Sequence, residues 1–203
     1  DLLDTRFFLS DVRLVKADGS ETPLSNRIEV QVFTSGGSLQ KDSITNDILL
    51  VSPALIGINS VGAFRKGGRF TALRFRIGLN DVAAKVDPES LPSGHPMRPA
   101  ASGMDWNMNE GFVFQQARFL PETAPNDTLR VAARLPAQRQ ELELPFDVSV
   151  PEGYHLELDI RIDYLSWLRD ISPSTQTPET LLQKWTDRSA ASFEVVGVRT
   201  VSQ

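Results

Sequence analysis

The sequence predicts an all-β protein, an antiparallel β-sandwich of about eight strands with one short helix near the C-terminus. Three observations lead to this prediction. Apolar residues recur at every second position in at least six segments, turn-forming clusters such as ADGS, SGGS and PEGY separate segments, and only one segment has apolar residues at helical spacing. Strands that alternate in this way bury one face, which is typical of antiparallel sheets. No segment resembles a linker, so we expect residues 1–203 to form a single domain.

The strands are predicted from period-two alternation. Two segments show it most clearly, RFTALRFRIGL and YHLELDIRIDYL, in which apolar residues alternate with charged ones. Six of their residues are predicted to lie in the core: Leu73, Phe75, Ile77, Leu158, Ile160 and Ile162. Further strand candidates are FFLSDVRLV, RIEVQVF, TLRVAARL, ELPFDVSV and SFEVVGVRTV.

One segment late in the chain has the features of a helix. Thr177 is suited to cap it, and Pro178 is suited to its first position, where a missing N–H costs nothing. Its apolar stripe consists of Leu181, Leu182 and Trp185. The sequence therefore predicts a helix from Pro178 to about Arg188.

Residues 81–104 interrupt the strand pattern. The segment is rich in Pro, Ala and Ser, and loops of this length are usually functional or disordered. It leads into SGMDWNMNEGFVF, in which Met104, Trp106 and Met108 alternate with polar residues. We expect these three side chains to share one strand face. That face is either an edge of the core or a soft metal site.

Composition and charge exclude several classes of function. The chain has 21 basic and 26 acidic residues and no basic stripe, so we expect no nucleic-acid partner. Its apolar runs are too short to span a bilayer. There is no cysteine, which excludes disulfides, thiolate metal sites and cysteine nucleophiles. With two histidines and no G-x-S-x-G motif, we expect no catalysis.

The methionines suggest a soft metal site. All three, Met97, Met104 and Met108, lie within the stretch that begins at His95. Cu(I) prefers thioether and imidazole donors, and an indole can place its π-face over a cation. The ordinary alternatives are that the methionines fill gaps in the core and that His95 is a solvated loop residue. His155 lies on the polar face of its strand, where a surface role is expected.

The order of motifs resembles the MbnP-like family. The motifs are RFFLSDVRLVKADGSETPL, GGRFTALRFRIGLN, HPMRPAASGMDWNMNEGFVF and PFDVSVPEGYHLELDIRIDYL followed by a helix and FEVV. This resemblance implies a secreted or periplasmic β-sandwich of Gram-negative bacteria that binds copper, partnered by a MauG-like di-haem protein. In some relatives a tryptophan oxidised to kynurenine helps to hold Cu(I), and Trp106 matches that position.

The sequence departs from the family pattern in three places. Met108 stands where the family has a second tryptophan, and Ala132 or Ala133 stands where it has the histidine of an H-L-G motif. Only DLLDT precedes the first motif, so we expect the family's N-terminal strand to be lacking.

Two hypotheses follow. The first is a copper-binding protein of the periplasm or cell surface with His95, Met104, Trp106 and Met108 as metal ligands. The second is a metal-free structural or interaction module, in which the sheet edge left by the lacking strand accepts a strand from a protein partner. A carbohydrate-binding module is a third, weaker option.

Overall fold

The computed structural model describes residues 1–55, 57, 59–122 and 127–202. They fold as the predicted antiparallel β-sandwich. The thirteen strands in this part of the chain are β1 (Leu2–Lys16), β2 (Glu21–Pro23), β3 (Arg27–Phe33), β4 (Leu39–Thr45), β5 (Leu49–Val51), β6 (Gly68–Ile77), β7 (Trp106–Asn107), β8 (Gly111–Phe112), β9 (Gln115–Phe119), β10 (Leu129–Ala133), β11 (Gln140–Val150), β12 (Tyr154–Ile162) and β13 (Phe193–Ser202). The α-helices are α1 (Pro99–Ser102), α2 (Tyr164–Trp167) and α3 (Pro178–Ser189).

The largest sheet has seven strands. Five of them lie in the order β10-β9-β1-β6-β11, and the short β2 and β5 also pair with β1. The long β1 therefore holds the sheet together, pairing with β9 from Leu2 to Phe7 and with β6 from Leu9 to Lys16. The pairs β3–β4, β7–β8 and β12–β13 form two-stranded antiparallel sheets.

The core is divided into two clusters of buried apolar side chains. The helix-side cluster combines residues of the large sheet with the late helices, among them Phe7, Phe75, Ile77, Trp167, Leu181 and Trp185. The loop-side cluster combines β3, β4 and residues 79–114, among them Phe8, Val30, Ile44, Met97, Met104 and Ala133. Phe7 and Phe8 are neighbours on β1 but belong to different clusters, as expected for side chains that alternate across a strand.

Of the six predicted core residues, three are buried, two are half-buried and one is exposed. Leu73, Phe75 and Ile77 are at most 8% exposed, and Leu158 and Ile162 pack half-buried against the helix-side cluster. The prediction for Ile160 is wrong, because this side chain is 36% exposed. The register of β12 with β13 shifts between Asp159 and Ile160. Val196 of β13 is left over at this shift, and such a bulge bends the strand and increases its twist next to Ile160.

The predicted helix is confirmed as α3, which ends one residue later than expected. The Thr177 hydroxyl accepts the Thr180 N–H at 3.3 Å, and Leu181 and Trp185 are fully buried. The sequence analysis missed the one-turn α2, which buries Trp167 completely. No helix in the described ranges is long and apolar enough to cross a membrane.

A bulge in β1 is supported by a buried carboxylate. Asp11, within the bulge, has a φ of 54°, in the left-handed region. The Asp47 carboxylate, on a residue that is 3% exposed, accepts the Val12 N–H at 2.8 Å. Burial raises the pKa of Asp47 to about 6, and the charge of Asp11 acts in the same direction, whereas the Val12 N–H and Arg13 oppose the shift.

Candidate metal-binding site

The long segment at residues 81–104 forms part of the core. It contains two 3-10 turns, Ala83–Lys85 and Pro88–Ser90, followed by α1. Val86, Leu91 and Met97 are at most 3% exposed and belong to the loop-side cluster. The Asp87 carboxylate caps the second turn by accepting the Glu89 N–H at 3.2 Å. The segment is therefore fixed by its own turns and by buried side chains.

The Met-Trp-Met segment is a tight hairpin, and the expectation of one shared face is wrong. β7 is only two residues long and is followed by a turn to β8. The Asn107 side-chain oxygen accepts the N–H groups of Asn109 and Glu110 at 3.0 and 2.8 Å, a local interaction that favours a turn over a continued strand. Met108 consequently lies in the turn and is 60% exposed, whereas Met104 is 1% exposed.

Two methionines share the loop-side cluster. Met97 precedes α1 in the chain and Met104 follows it, and both side chains are buried in this cluster. Ala133 is buried in the same cluster, and Ala132 packs against it. The resemblance places the family's histidine at one of these alanines, so that position adjoins the cluster containing both thioethers.

His95 is buried, not solvated as an isolated loop histidine would be. It is 7% exposed, and its Nδ1 accepts the Met97 N–H at 3.2 Å. Because Nδ1 is an acceptor, the neutral ring carries its proton on Nε2. Nε2 is buried without a hydrogen-bond partner among the described residues. Burial lowers the pKa of His95, which favours the neutral ring that a metal requires.

Trp106 lies at the edge of the same region. It is half-buried and packs against the loop-side cluster. Its ring stacks on Phe33 with centroids 5.7 Å apart and planes at 30°, and it lies 6.2 Å from the Phe112 ring. Sequence reasoning missed the contact with Phe33, because β3 lies about seventy residues earlier and only the fold brings it to the hairpin.

The residues present fit a soft metal ion better than a hard one. Across the ranges that the structure describes, no group of three or more His, Asp or Glu residues could hold a metal. Met97 and Met104 supply buried thioethers, and His95 supplies an imidazole two residues from Met97. A metal can bind Nε2 only if the ring proton moves to Nδ1. Nδ1 then no longer accepts the Met97 N–H. That loss costs about 1 kcal/mol, which is small beside metal-binding energies on the order of 10 kcal/mol.

The fourth predicted ligand, Met108, lies outside this region, and so does the second histidine, His155, for which a surface role is expected. Met108 is exposed on the turn of the hairpin, and His155 is exposed on β12, opposite Val201. Of the four predicted ligands, the structure therefore places His95, Met104 and Trp106 in or beside the loop-side cluster and Met108 at the surface.

The sequence model of the MbnP family matches residues 1–183. Among solved structures, MbnP from Methylosinus trichosporium is 18% identical, with a TM-score of 0.44, covering 87% of this chain and 68% of that one. No curated protein sequence matches the chain significantly.

Proposed function

The chain belongs to the MbnP family, and from this premise we propose that it is a copper-binding protein of the periplasm or cell surface. Membership implies a copper-related role and a protein of the extracellular or periplasmic type. The observation that carries the proposal for this chain is the burial of Met97 and Met104 in one cluster, beside a buried histidine. Burial of the thioethers has no cost in lost hydrogen bonds, but the His95 Nε2 is buried without a hydrogen-bond partner in the part of the chain that the structure describes.

We assign His95, Met97 and Met104 as the donors and Trp106 as the aromatic residue at the edge of the site. Thioether and imidazole donors favour Cu(I) over harder ions. A half-buried indole can lie over the ion as a π-face. The exposed Met108 is left out of this set, because it would have to leave the turn that Asn107 holds.

Replacing Met104 with leucine is expected to weaken Cu(I) binding at least about tenfold, or about 1.4 kcal/mol. The substitution keeps the buried volume and removes only the sulfur donor. Affinity is measured by competition with a chromogenic Cu(I) chelator, with about one ion expected per wild-type chain. His95→Ala should weaken binding as well.

Met108→Leu is the matched control, since it removes the same donor from a residue that is 60% exposed. Its Cu(I) affinity should equal that of the wild type. Equal affinity in the wild type and in a variant lacking His95, Met97 and Met104 together would contradict the assigned site. A preference for Zn(II) over Cu(I) in the wild type would contradict the soft donor set.

We further propose that Trp106 is the residue that is oxidised to kynurenine in the native protein. The oxidant has to come from outside, and a MauG-like di-haem protein is the partner implied by the resemblance. Trp106 should therefore be modified in protein made beside that partner and unmodified in protein made alone. Peptide mass spectrometry measures both, and Trp167 and Trp185, which are fully buried, serve as internal controls. Kynurenine at Trp106 in protein made without the partner would contradict the proposal that an external enzyme is needed.

A metal-free interaction module is the second candidate. It is favoured by Ala132 and Ala133, one of which stands where the family has a histidine and offers only a methyl group to the cluster. In that case the edges of the large sheet, β10 and β11, are where a partner strand would add. Native protein with no copper, unmodified Trp106 and a second chain bound would decide for this function.

A further inference from the structure

A polar recess lies beside the hairpin and is lined by residues of β1, β9 and β10 and by Gly103 and Asp105. It has a volume of about 240 Å³, and one water molecule in the liquid occupies about 30 Å³. Its charged side chains are Arg6, Arg118, Arg130, Asp4 and Asp105. Three guanidinium groups thus face two carboxylates, which leaves one positive charge in excess.

The three arginines of the recess differ in how well their charges are paired. The Arg6 Nε lies 3.0 Å from Asp4, and its Nη1 donates to the Ser102 carbonyl at 2.8 Å. Arg130 pairs with Asp105 and donates to Gln116. Among the residues that the structure describes, Arg118 makes a single ion pair, at 3.5 Å, and it is with the Asp4 oxygen that Arg6 already uses. The Arg118 side chain is 49% exposed, so the excess charge lies on an accessible guanidinium.

The remaining groups hold the recess in a fixed shape. Gly103 has a φ of +63°, and a Cβ at this position would collide with the Arg6 guanidinium. Arg6 therefore lies directly against the glycine. Gln116 is 6% exposed, and its side-chain amide donates to the Gly103 carbonyl at 3.3 Å while its oxygen holds Arg130. The walls of the recess are therefore held in place before a ligand arrives, and only the Arg118 side chain has to be ordered on binding.

We propose that this recess binds the carboxylate group of a small organic anion, with Arg118 as its principal contact. A guanidinium presents two parallel N–H donors that match the two oxygens of a carboxylate. A single negative charge also balances the recess, whereas a phosphate dianion would leave it negative next to Asp4 and Asp105. The copper proposal concerns other side chains, so either proposal can fail without affecting the other.

The test is a titration of the full-length chain with acetate, with chloride adjusted to hold the ionic strength constant. NMR signals of the arginine Nε–H groups report binding at each residue. The NMR signals of the wild type should shift until the site is saturated, and Arg118→Gln should weaken the binding of acetate about tenfold. Asp4→Asn removes a competing carboxylate and should strengthen the binding of acetate about threefold. Arg27→Gln, on β3, where the guanidinium donates to Ser43, is the control and should leave the affinity unchanged.

Two results would overturn the proposal. One is a wild type that does not bind acetate selectively, as judged by the lack of a saturable shift or by tighter binding of inorganic phosphate at equal ionic strength. The other is acetate affinity that does not change in Arg118→Gln and Asp4→Asn. The two variants act in opposite directions, so a general loss of structure cannot imitate the expected pair of results. If Arg118→Gln does not fold, Asp4→Asn alone decides.

Discussion

Replacing Trp167 with alanine is expected to lower the free energy of unfolding by about 3–5 kcal/mol. The side chain is fully buried where α2 meets the large sheet. Its ring centroid lies 4.9 Å from that of Trp185, 5.0 Å from Tyr164 and 5.5 Å from Phe7. Removing it leaves a cavity bordered by three rings, which cannot all move into the space. Urea unfolding at pH 7 measures the change.

Leu165→Ala is the control, because Leu165 lies on the same one-turn helix and is 79% exposed. Its free energy of unfolding should stay within about 0.5 kcal/mol of the wild type. Trp167→Phe should cost less than the alanine variant, since it keeps a ring and removes an indole N–H that has no partner among the described residues. A loss below about 1.5 kcal/mol for Trp167→Ala would mean that α2 is not part of the core.

Asp47→Asn is expected to gain about 3 kcal/mol in stability relative to the wild type as the pH rises from 4 to 7. Burial raises the pKa of Asp47 from its ordinary 3.8 to about 6 in the folded protein. Between these two values the folded chain holds a proton that the unfolded chain has lost. The contribution of Asp47 to the free energy of unfolding of the wild type is therefore highest below pH 4, and it falls by about 3 kcal/mol as the pH rises through 6. Asparagine does not titrate and still offers an oxygen to the Val12 N–H.

Urea unfolding of both proteins at several pH values between 4 and 7 gives the difference in free energy. The comparison across pH cancels any constant cost of burying the amide. Asp18→Asn is the control, because Asp18 is exposed and hydrogen bonds from Ser20 lower the pKa of its carboxyl. The difference between Asp18→Asn and the wild type should stay nearly constant from pH 4 to 7, because a carboxyl with a lowered pKa changes its protonation below that range. A constant difference between wild type and Asp47→Asn would show that the Asp47 carboxyl titrates normally.

The strand pattern could be predicted from the sequence because burial of one face imposes period two. Leu73, Phe75 and Ile77 are buried for this reason, and the helix at Pro178 follows from its cap and stripe. Strands with few alternating apolar residues gave no such signal. β4, for example, is exposed along most of its length and is defined by its pairing with β3.

The site could be predicted only in part, since side-chain hydrogen bonds and distant contacts decide its geometry. Nothing in the pattern of MDWNM indicates that the Asn107 side chain closes a turn and exposes Met108. The burial of His95 depends on the packing of the whole 81–104 segment, which has no periodicity. The stacking of Trp106 on Phe33 depends on where the β3–β4 hairpin lies. These features belong to tertiary structure.

The position of β1 has a consequence for how the molecule opens. Phe7 points into one cluster and Phe8 into the other, and the backbone that joins them is hydrogen-bonded on both sides. Neither cluster can lose its packing without disturbing the strand on which the other is built. Sub-global openings are confined to segments that can separate from the rest, such as an exposed hairpin, and β1 is not one of them. Amide protons of Phe7 and Phe8 should therefore exchange with solvent only by global unfolding, and at the same rate. A metal bound among the loop-side residues would then slow exchange on the helix side equally, because both clusters are built on the same strand.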